Sequence, residues 1–339
     1  MQEQFTHYVG IDVSKLTLNI AICDSSRQIL EEYEIENLVP AIKSMLVKLK
    51  KIKGFDVKST IFCLEHTGNY CTPFLEASDA KSLNTWMENP TAIKRSLGIV
   101  RGKSDQADAR QIAVYACRFI DKAKLWKRPP HEIAELRALF SERNRLVKVI
   151  GILTVPIREA AQMGNKVAAG TGKFSEKAVK ELVASKVSIE ERIAEIVAEV
   201  PEIQQNMELL KSIKGIGRET AVMLIVFTQN FTLFANAKQF ACFCGVAPFP
   251  HSSGTSVKGK TKISRMGNRI AKALLTTAAW SASRFDLELK TYHQRRVAEG
   301  VEPMASINII RNKLLGRAFS VIRRQERFQV DWNPESKRA

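Results

Sequence analysis

The sequence predicts an α/β domain at the N-terminal end and a mainly helical remainder. Two observations carry this. Short apolar, β-prone runs crowd the first ninety or so residues, and two long stretches after residue 130 place apolar residues three to four apart. A third observation bears on partners: 52 Lys and Arg stand against 35 Asp and Glu, a net charge of +17. A surplus of that size points to a polyanion, nucleic acid first among them. At 339 residues the chain has length for two or three domains, each with its own core.

Thr6–Ile11, Thr17–Cys23 and Gln28–Ile35 read as a three-strand meander, with Asp24-Ser25-Ser26-Arg27 a tight turn before the third strand. Ile42, Met45, Leu46 and Leu49 stripe a helix over Pro40–Lys51. A strand at Thr60–Leu64, a helix from Thr72 and a strand at Leu83–Met87 follow. Asn89-Pro90 breaks the chain, and Ile93–Lys103 is a basic connection into a helix over Asp105–Asp121. This order of elements is that of an RNase H-like domain, expected over residues 1–126 and ended by Trp126-Lys127-Arg128-Pro129-Pro130.

Four carboxylates fall at telling places in that order. Asp12 and Glu65 close two of the apolar runs, while Asp105 and Asp108 share one side of a helix start. Taken singly, these acids end strands or cap a helix. Converging on one point, they would repel unless cations shared their charge, and Mg²⁺ with its hard oxygen ligands suits that need. Two such ions about 4 Å apart cut phosphodiesters.

Residues 131–200 hold the two long helical stretches. The first is striped by Ile133, Leu136, Phe140, Val147 and Ile150, with Arg143 interrupting. The second is striped by Val179, Leu182, Ile189, Ile193, Ile196 and Val200 around Lys186. A loop marked by Gly164-Asn165 and Gly170-Thr171-Gly172 joins them, so an antiparallel coiled-coil arm is the natural reading, with two ordinary amphipathic helices the alternative. Pro201 opens the last region, 201–330. Its Lys214-Gly215-Ile216-Gly217 turn resembles a helix–hairpin–helix, where Lys214, Gly215 and Gly217 would meet a phosphate, although such turns also simply join helices.

Downstream, His251-Ser252-Ser253-Gly254 begins a small, polar loop that leads into a helix running to about Arg284. From residue 251 to 284 there are seven Lys or Arg and no acid; Lys258, Lys260, Lys262, Arg265 and Arg269 are the candidate phosphate contacts. Ser253 in such a loop is either a phosphate hydrogen-bond donor or a nucleophile; no proton acceptor is evident beside it, and His251 and a metal-bound carboxylate are the candidates for that role.

Several classes of function are disfavoured. Met1-Gln2-Glu3-Gln4 lacks the basic region and apolar stretch of a secretory signal, and no apolar run approaches the roughly 20 residues that cross a bilayer. Six cysteines (23, 63, 71, 117, 242 and 244) lack paired zinc spacing and read as reduced thiols. A cytoplasmic protein without membrane association is expected.

Seven motifs in order carry a closer resemblance: Gly10-Ile11-Asp12, Glu65-His66-Thr67-Gly68, Lys103-Ser104-Asp105 through Asp108-Ala109-Arg110, Ile213–Gly217, Gly245-Val246-Ala247-Pro248, Ser253-Gly254 and Ser264–Asn268. Together they resemble the DEDD-type insertion-sequence transposases of the IS one-ten family, which includes Piv-like DNA invertases. That resemblance implies a RuvC-like domain, a coiled coil and a mainly α transposase domain with a catalytic serine. It implies that Asp12, Glu65, Asp105 and Asp108 bind Mg²⁺ and that Ser253, with Ser252 its neighbour, forms a 5′-phosphoserine link to DNA. It further implies a homo-oligomer, dimer or tetramer, in which one protomer's acids complete another's serine site. Donor and target DNA and a noncoding bridge RNA would be its partners. A RuvC-like hydrolytic junction endonuclease and a nonenzymatic nucleic-acid scaffold are the alternatives.

Overall fold

A computed structural model describes residues 5–96, 105–253, 257–264 and 267–329, over 250–262 by backbone alone. The chain forms two compact units, Met1–Arg128 and Pro129–Ala339.

The first unit runs β1 (His7–Val13), β2 (Thr17–Asp24), β3 (Ile29–Glu36), α1 (Val39–Leu49), β4 (Thr60–Glu65), α2 (Thr72–Lys81), β5 (Asn84–Glu88), α3 (Pro90–Ser96) and α4 (Asp105–Arg118). The five strands make one sheet in the order β3-β2-β1-β4-β5. β1, β2 and β3 are antiparallel neighbours, whereas β4 runs parallel to β1 and β5 parallel to β4. Successive residues of a strand face opposite sides, and both sides are covered. Val9, Ile11, Phe62 and Leu64 join residues of α1 and α2 in one core. Tyr8, Cys63 and Trp86 join Ala109, Ile112, Ala113 and Tyr115 of α4 in the other. Each large apolar side chain buried there contributes about 1.5–3 kcal/mol.

Two local expectations need correction. β1 does not end before Asp12: the ladder with β2 continues through Asp12↔Asn19 to Val13↔Leu18. The expected connection from Ile93 begins inside α3, where Asn89 accepts from the Thr91 amide at 2.9 Å and Pro90 takes the first helical position. The rest of that connection lies outside the described residues.

The second unit is mostly helical: α5 (His131–Gln162), α6 (Lys166–Gly170), α7 (Glu176–Glu199), α8 (Pro201–Lys211), α9 (Arg218–Thr228), α10 (Ala237–Phe243), α11 (Arg269–Phe285), α12 (Leu287–Ala298) and α13 (Pro303–Arg324). One core gathers the start of α5, the end of α7 and residues of α8–α13, with Ala221 to Val226 of α9 at its buried centre. Arg143 interrupts the α5 stripe because it meets Glu190 of α7 at 2.8 Å and Glu219 of α9 at 2.9 Å. Lys186 pairs with the same Glu190 at 3.2 Å. Beyond this polar layer the apolar residues Ile152, Met163, Val167, Phe174 and Val183 are exposed. The stretch expected as a loop contains instead a two-stranded hairpin, β6 (Pro248–Ser253) and β7 (Val257–Ile263), paired antiparallel. No helix among the described residues is long and apolar enough to cross a membrane.

Candidate active site and basic face

Strand parity assembles the acid cluster. Tyr8 packs in the α4-side core. Gly10 and Asp12, two and four residues on, therefore face α4 as well. Gly10 is the point of contact: a Cβ there would lie 2.2 Å from the Ala109 carbonyl oxygen and 2.2 Å from the Ala113 nitrogen. Only glycine admits so close an approach, and it brings the first turn of α4, with Asp105 and Asp108, toward Asp12. In β4, Cys63 lies in the same core, so Glu65 also faces α4. The parallel ladder pairs Ile11 with Leu64, and one step further sets Asp12 beside Glu65 at the carboxyl ends of neighbouring strands.

Glu65 is braced from several directions. Cys71 donates from Sγ to its carbonyl at 3.3 Å, and the amide of His66 donates to the Glu88 carbonyl at 3.0 Å. Buried Asn37 ties the end of β1 to the approach to α2, donating to the carbonyls of Ser14 and Tyr70, each at 2.9 Å.

The electrostatics follow from this crowding. Burial first, then the charges of Asp108, Glu65 and Asp105, push the Asp12 carboxyl from 3.8 up to about 6. Burial also raises Glu65; Lys94 of α3 opposes that rise and Asp108 adds to it. The start of α4 is the favourable end of a helix for Asp105 and Asp108.

Two neighbours were missed in the sequence. Glu88 pairs with Glu65 in the β4–β5 register and accepts from the Tyr115 hydroxyl at 3.1 Å. Lys94 acts on Glu65 from within the segment read as a connection. The ends of β4 and β5, once placed parallel, would have flagged Glu88; nothing in the sequence marks Lys94.

Four acids with overlapping fields and all-oxygen donors suit a hard divalent cation. As the side chains stand, no three His, Cys, Asp or Glu among the described residues are arranged to hold a metal ion.

Comparison with known proteins identifies the lineage. A model described as "Transposase" matches residues 9–160. Another, for the "Transposase IS116/IS110/IS902 family", matches residues 207–294. The chain belongs to the IS110-family transposases. It is 24% identical to the pilin gene-inverting protein of Moraxella bovis over 95% of this chain and 97% of that protein. The pilin gene-inverting protein of Moraxella lacunata matches to the same extent, 24% over 95% of this chain. An insertion element IS110 protein of Streptomyces coelicolor is 30% identical over 34% of this chain and 28% of its own length. Among solved structures, "T. thermophilus RuvC in complex with Holliday junction substrate" aligns with a TM-score of 0.28 and 14% identity, covering 36% of this chain and 99% of that one.

In the transposase's second unit the other candidate residues are spread over three elements. Lys214 is exposed on the α8–α9 turn, and Gly217 caps α9 with open space around it. Gly215 has a different reason to be glycine: at φ +98°, a Cβ would lie 2.7 Å from the Ala278 carbonyl and 2.7 Å from the Ala282 Cβ of α11. It lets the turn pack on that helix. Ser253 ends β6 opposite Val257, while Lys258, Lys260 and Lys262 follow on β7. Their side chains, and Arg265 altogether, lie outside the described residues. Arg269 is exposed in the first turn of α11. The Asn268 side chain caps that helix, accepting from the Ala271 amide at 3.0 Å, and Gly267 sits against Gly245 so closely that a Cβ on it would lie 2.2 Å from the Gly245 Cα.

Proposed function

We propose that this transposase cleaves and rejoins DNA strands in site-specific recombination, moving its own element, with Asp12, Glu65, Asp105 and Asp108 on a RuvC-like domain as one half of the active site and Ser253 as the other. The observation that best supports the reading is the close contact of Gly10 with α4 together with the β1–β4 register, which draws the four acids toward one end of the sheet. The relatives that invert a pilin gene support recombination rather than simple hydrolysis.

The acids would hold Mg²⁺, which when bound offsets their charge and that of a scissile phosphate. Ser253 Oγ attacks phosphorus, its proton passing to a carboxylate of the acid cluster from a neighbouring protomer. The bond to the 3′-oxygen breaks, and that oxygen leaves as a hydroxyl after taking up a proton. Religation reverses the step with a different 3′-hydroxyl. The phosphoserine ester conserves the bond energy, so no high-energy cofactor is consumed.

Lys214, Gly217, Lys258, Lys260, Lys262, Arg265 and Arg269 contact the backbone of DNA or of a guiding noncoding RNA. The acid-free run from 251 to 284 supports this polyanion contact. Residues 131–200 act as an arm, and the exposed apolar residues of α5, α6 and α7 beyond the Arg143 layer support its use in a homo-oligomer.

The deciding experiment is an adduct assay with Mg²⁺, junction-spanning DNA and the element's own RNA, denatured and mapped by peptide mass. A DNA adduct on Ser253, absent from Ser253→Ala and Asp12→Asn, is expected. Cleaved DNA without an adduct would replace the serine mechanism by metal-dependent hydrolysis.

A further inference from the structure

One face of α13 turns toward the chain between α10 and β6. Asn308 and Asn312 each donate from Nδ2 to the Val246 carbonyl, at 3.0 and 2.9 Å. Arg311, on the same helix, is only 3% exposed. Its Nη1 donates to Asn308 Oδ1 at 3.1 Å, and its Nε is buried with no partner.

A buried guanidinium ordinarily faces a carboxylate, because an uncompensated charge away from water is expensive. Arg317, two turns along the same helix, follows that rule, meeting Asp286 at 2.7 Å and Glu288 at 2.5 Å. Arg311 does not. The charged neighbour that feels it is Lys272 of α11, of the same sign. Among the described residues neither cation has a carboxylate partner, and the sequence from 251 to 284 contains no acid to supply one. Burial holds Arg311 below its ordinary value, and burial and then the Arg311 charge do the same to Lys272.

The place matters as much as the charge. Lys272 lies in the second turn of a 17-residue helix whose N-terminal end adds positive potential. That end is held by the Asn268 amide, which donates to the Phe243 carbonyl at 2.8 Å. Two cations, one of them a buried guanidinium with an unused Nε, thus lie with a helix N-terminus beside the root of the β6–β7 hairpin.

We propose that Arg311 and Lys272 form an anion site that binds one backbone phosphate of the DNA held by the second unit, anchoring that strand beside the root of the β6–β7 hairpin. The site rests on the reading that this unit contacts DNA. It is a positioning site, separate from the chemistry at Ser253.

The test pairs two measurements on the full chain, using Arg311→Met, which keeps the length and removes the charge, and Lys272→Gln at a half-exposed position. Inorganic phosphate should raise the parent's melting temperature above that in chloride of equal ionic strength, and both variants should lose the difference. In DNA binding, each variant should lower the slope of log affinity against log salt by about 0.9, the share of one phosphate contact. No phosphate-specific rise in the parent, or an equal rise in the variants, overturns the site. A phosphate effect lost in the variants, from a parent that binds no DNA, keeps the anion site and overturns the DNA reading beneath it. If Arg311→Met fails to fold, Lys272→Gln decides both measurements.

Discussion

Each unit carries a local cluster of charge, acidic in the first and basic in the second, and the two clusters are built by different routes. In the first, acids far apart in sequence (12, 65, 105 and 108) are brought together by strand parity, a parallel register and the Gly10 contact with α4. In the second, much of the basic charge is contiguous in the chain, seven cations without an acid from 251 to 284. α13 then adds Arg311 from a distant segment. A cluster built by the fold fixes geometry, which suits chemistry at one point. A cluster built by a run of sequence fixes charge along a path, which suits holding a polymer. The acids are opposed by Lys94 alone among the charges that act on Glu65, and the basic run contains no acid, so each calls for a partner of the opposite sign.

The sharpest way to break this contrast is Asp105→Asn. It removes one charge from the fold-built cluster and leaves the basic run of the second unit intact. Strand cleavage should fall by several orders of magnitude, while affinity for DNA stays within about twofold, since oxygen ligands of catalytic ions act on the chemical step. Gel assays of cleavage beside equilibrium binding would measure both. Equal cleavage by the variant and the parent would leave the acids as mere strand ends and caps.

A smaller effect should come from the glycine contacts that each unit relies on. Gly10→Ala drives a methyl into the α4 backbone, and Gly267→Ala drives one into the backbone of Gly245. Backbone cannot rotate aside as a side chain can, so each change should cost at least about 1–3 kcal/mol of stability. Activity should separate them. Gly10→Ala displaces Asp105 and Asp108 from Asp12 and should depress cleavage beyond its effect on DNA binding, whereas Gly267→Ala should weaken binding first. Indistinguishable profiles would mean that the contacts support stability alone.

Much of this was legible in the chain, and the misses have causes. The five strands of the first unit announced themselves because buried apolar runs bounded by turns carry a strong signal, as in Thr60–Leu64. The four acids stood out by position, but their meeting depended on facing, which Gly10 and the β1–β4 register decide. Glu88 escaped notice because its relevance exists only once β5 lies beside β4. The β6–β7 hairpin was read as a loop because Pro248 and Pro250 and the run of Lys, Ser and Gly lack the alternation of a half-buried strand. Arg143 looked like a flaw in an apolar stripe until Glu190 and Glu219 gave it partners from two other helices. Arg311 carried no signal at all: an arginine in an amphipathic helix is ordinary until its burial is known.

The mildest test reads the imbalance of the acid cluster as stability. Asp12 ionises near 3.8 in an unfolded chain and at about 6 in the fold. A carboxyl whose folded value is raised favours folding only while protonated. Its contribution is therefore full below about pH 4 and is lost as the pH rises through about 6. Near neutral pH the ionised Asp12 weakens the fold, and Asp12→Asn removes that penalty. A sealed group shifted this far would be worth about 3 kcal/mol. Asp12 is only half-buried, so solvent screening brings the expected gain to about 1 kcal/mol, or about 3–5 °C in melting temperature for a unit of this size. With a chelator present, Asp12→Asn should melt above the parent at neutral pH, and the gap should close toward pH 4 as the parent's carboxyl takes up its proton. Mg²⁺ should reverse the order by stabilising the parent, which keeps all four acids, more than the variant. A variant no more stable than the parent at neutral pH would mean that neither burial nor the neighbouring acids strain Asp12. The first unit would then lack the imbalance that sets it against the second.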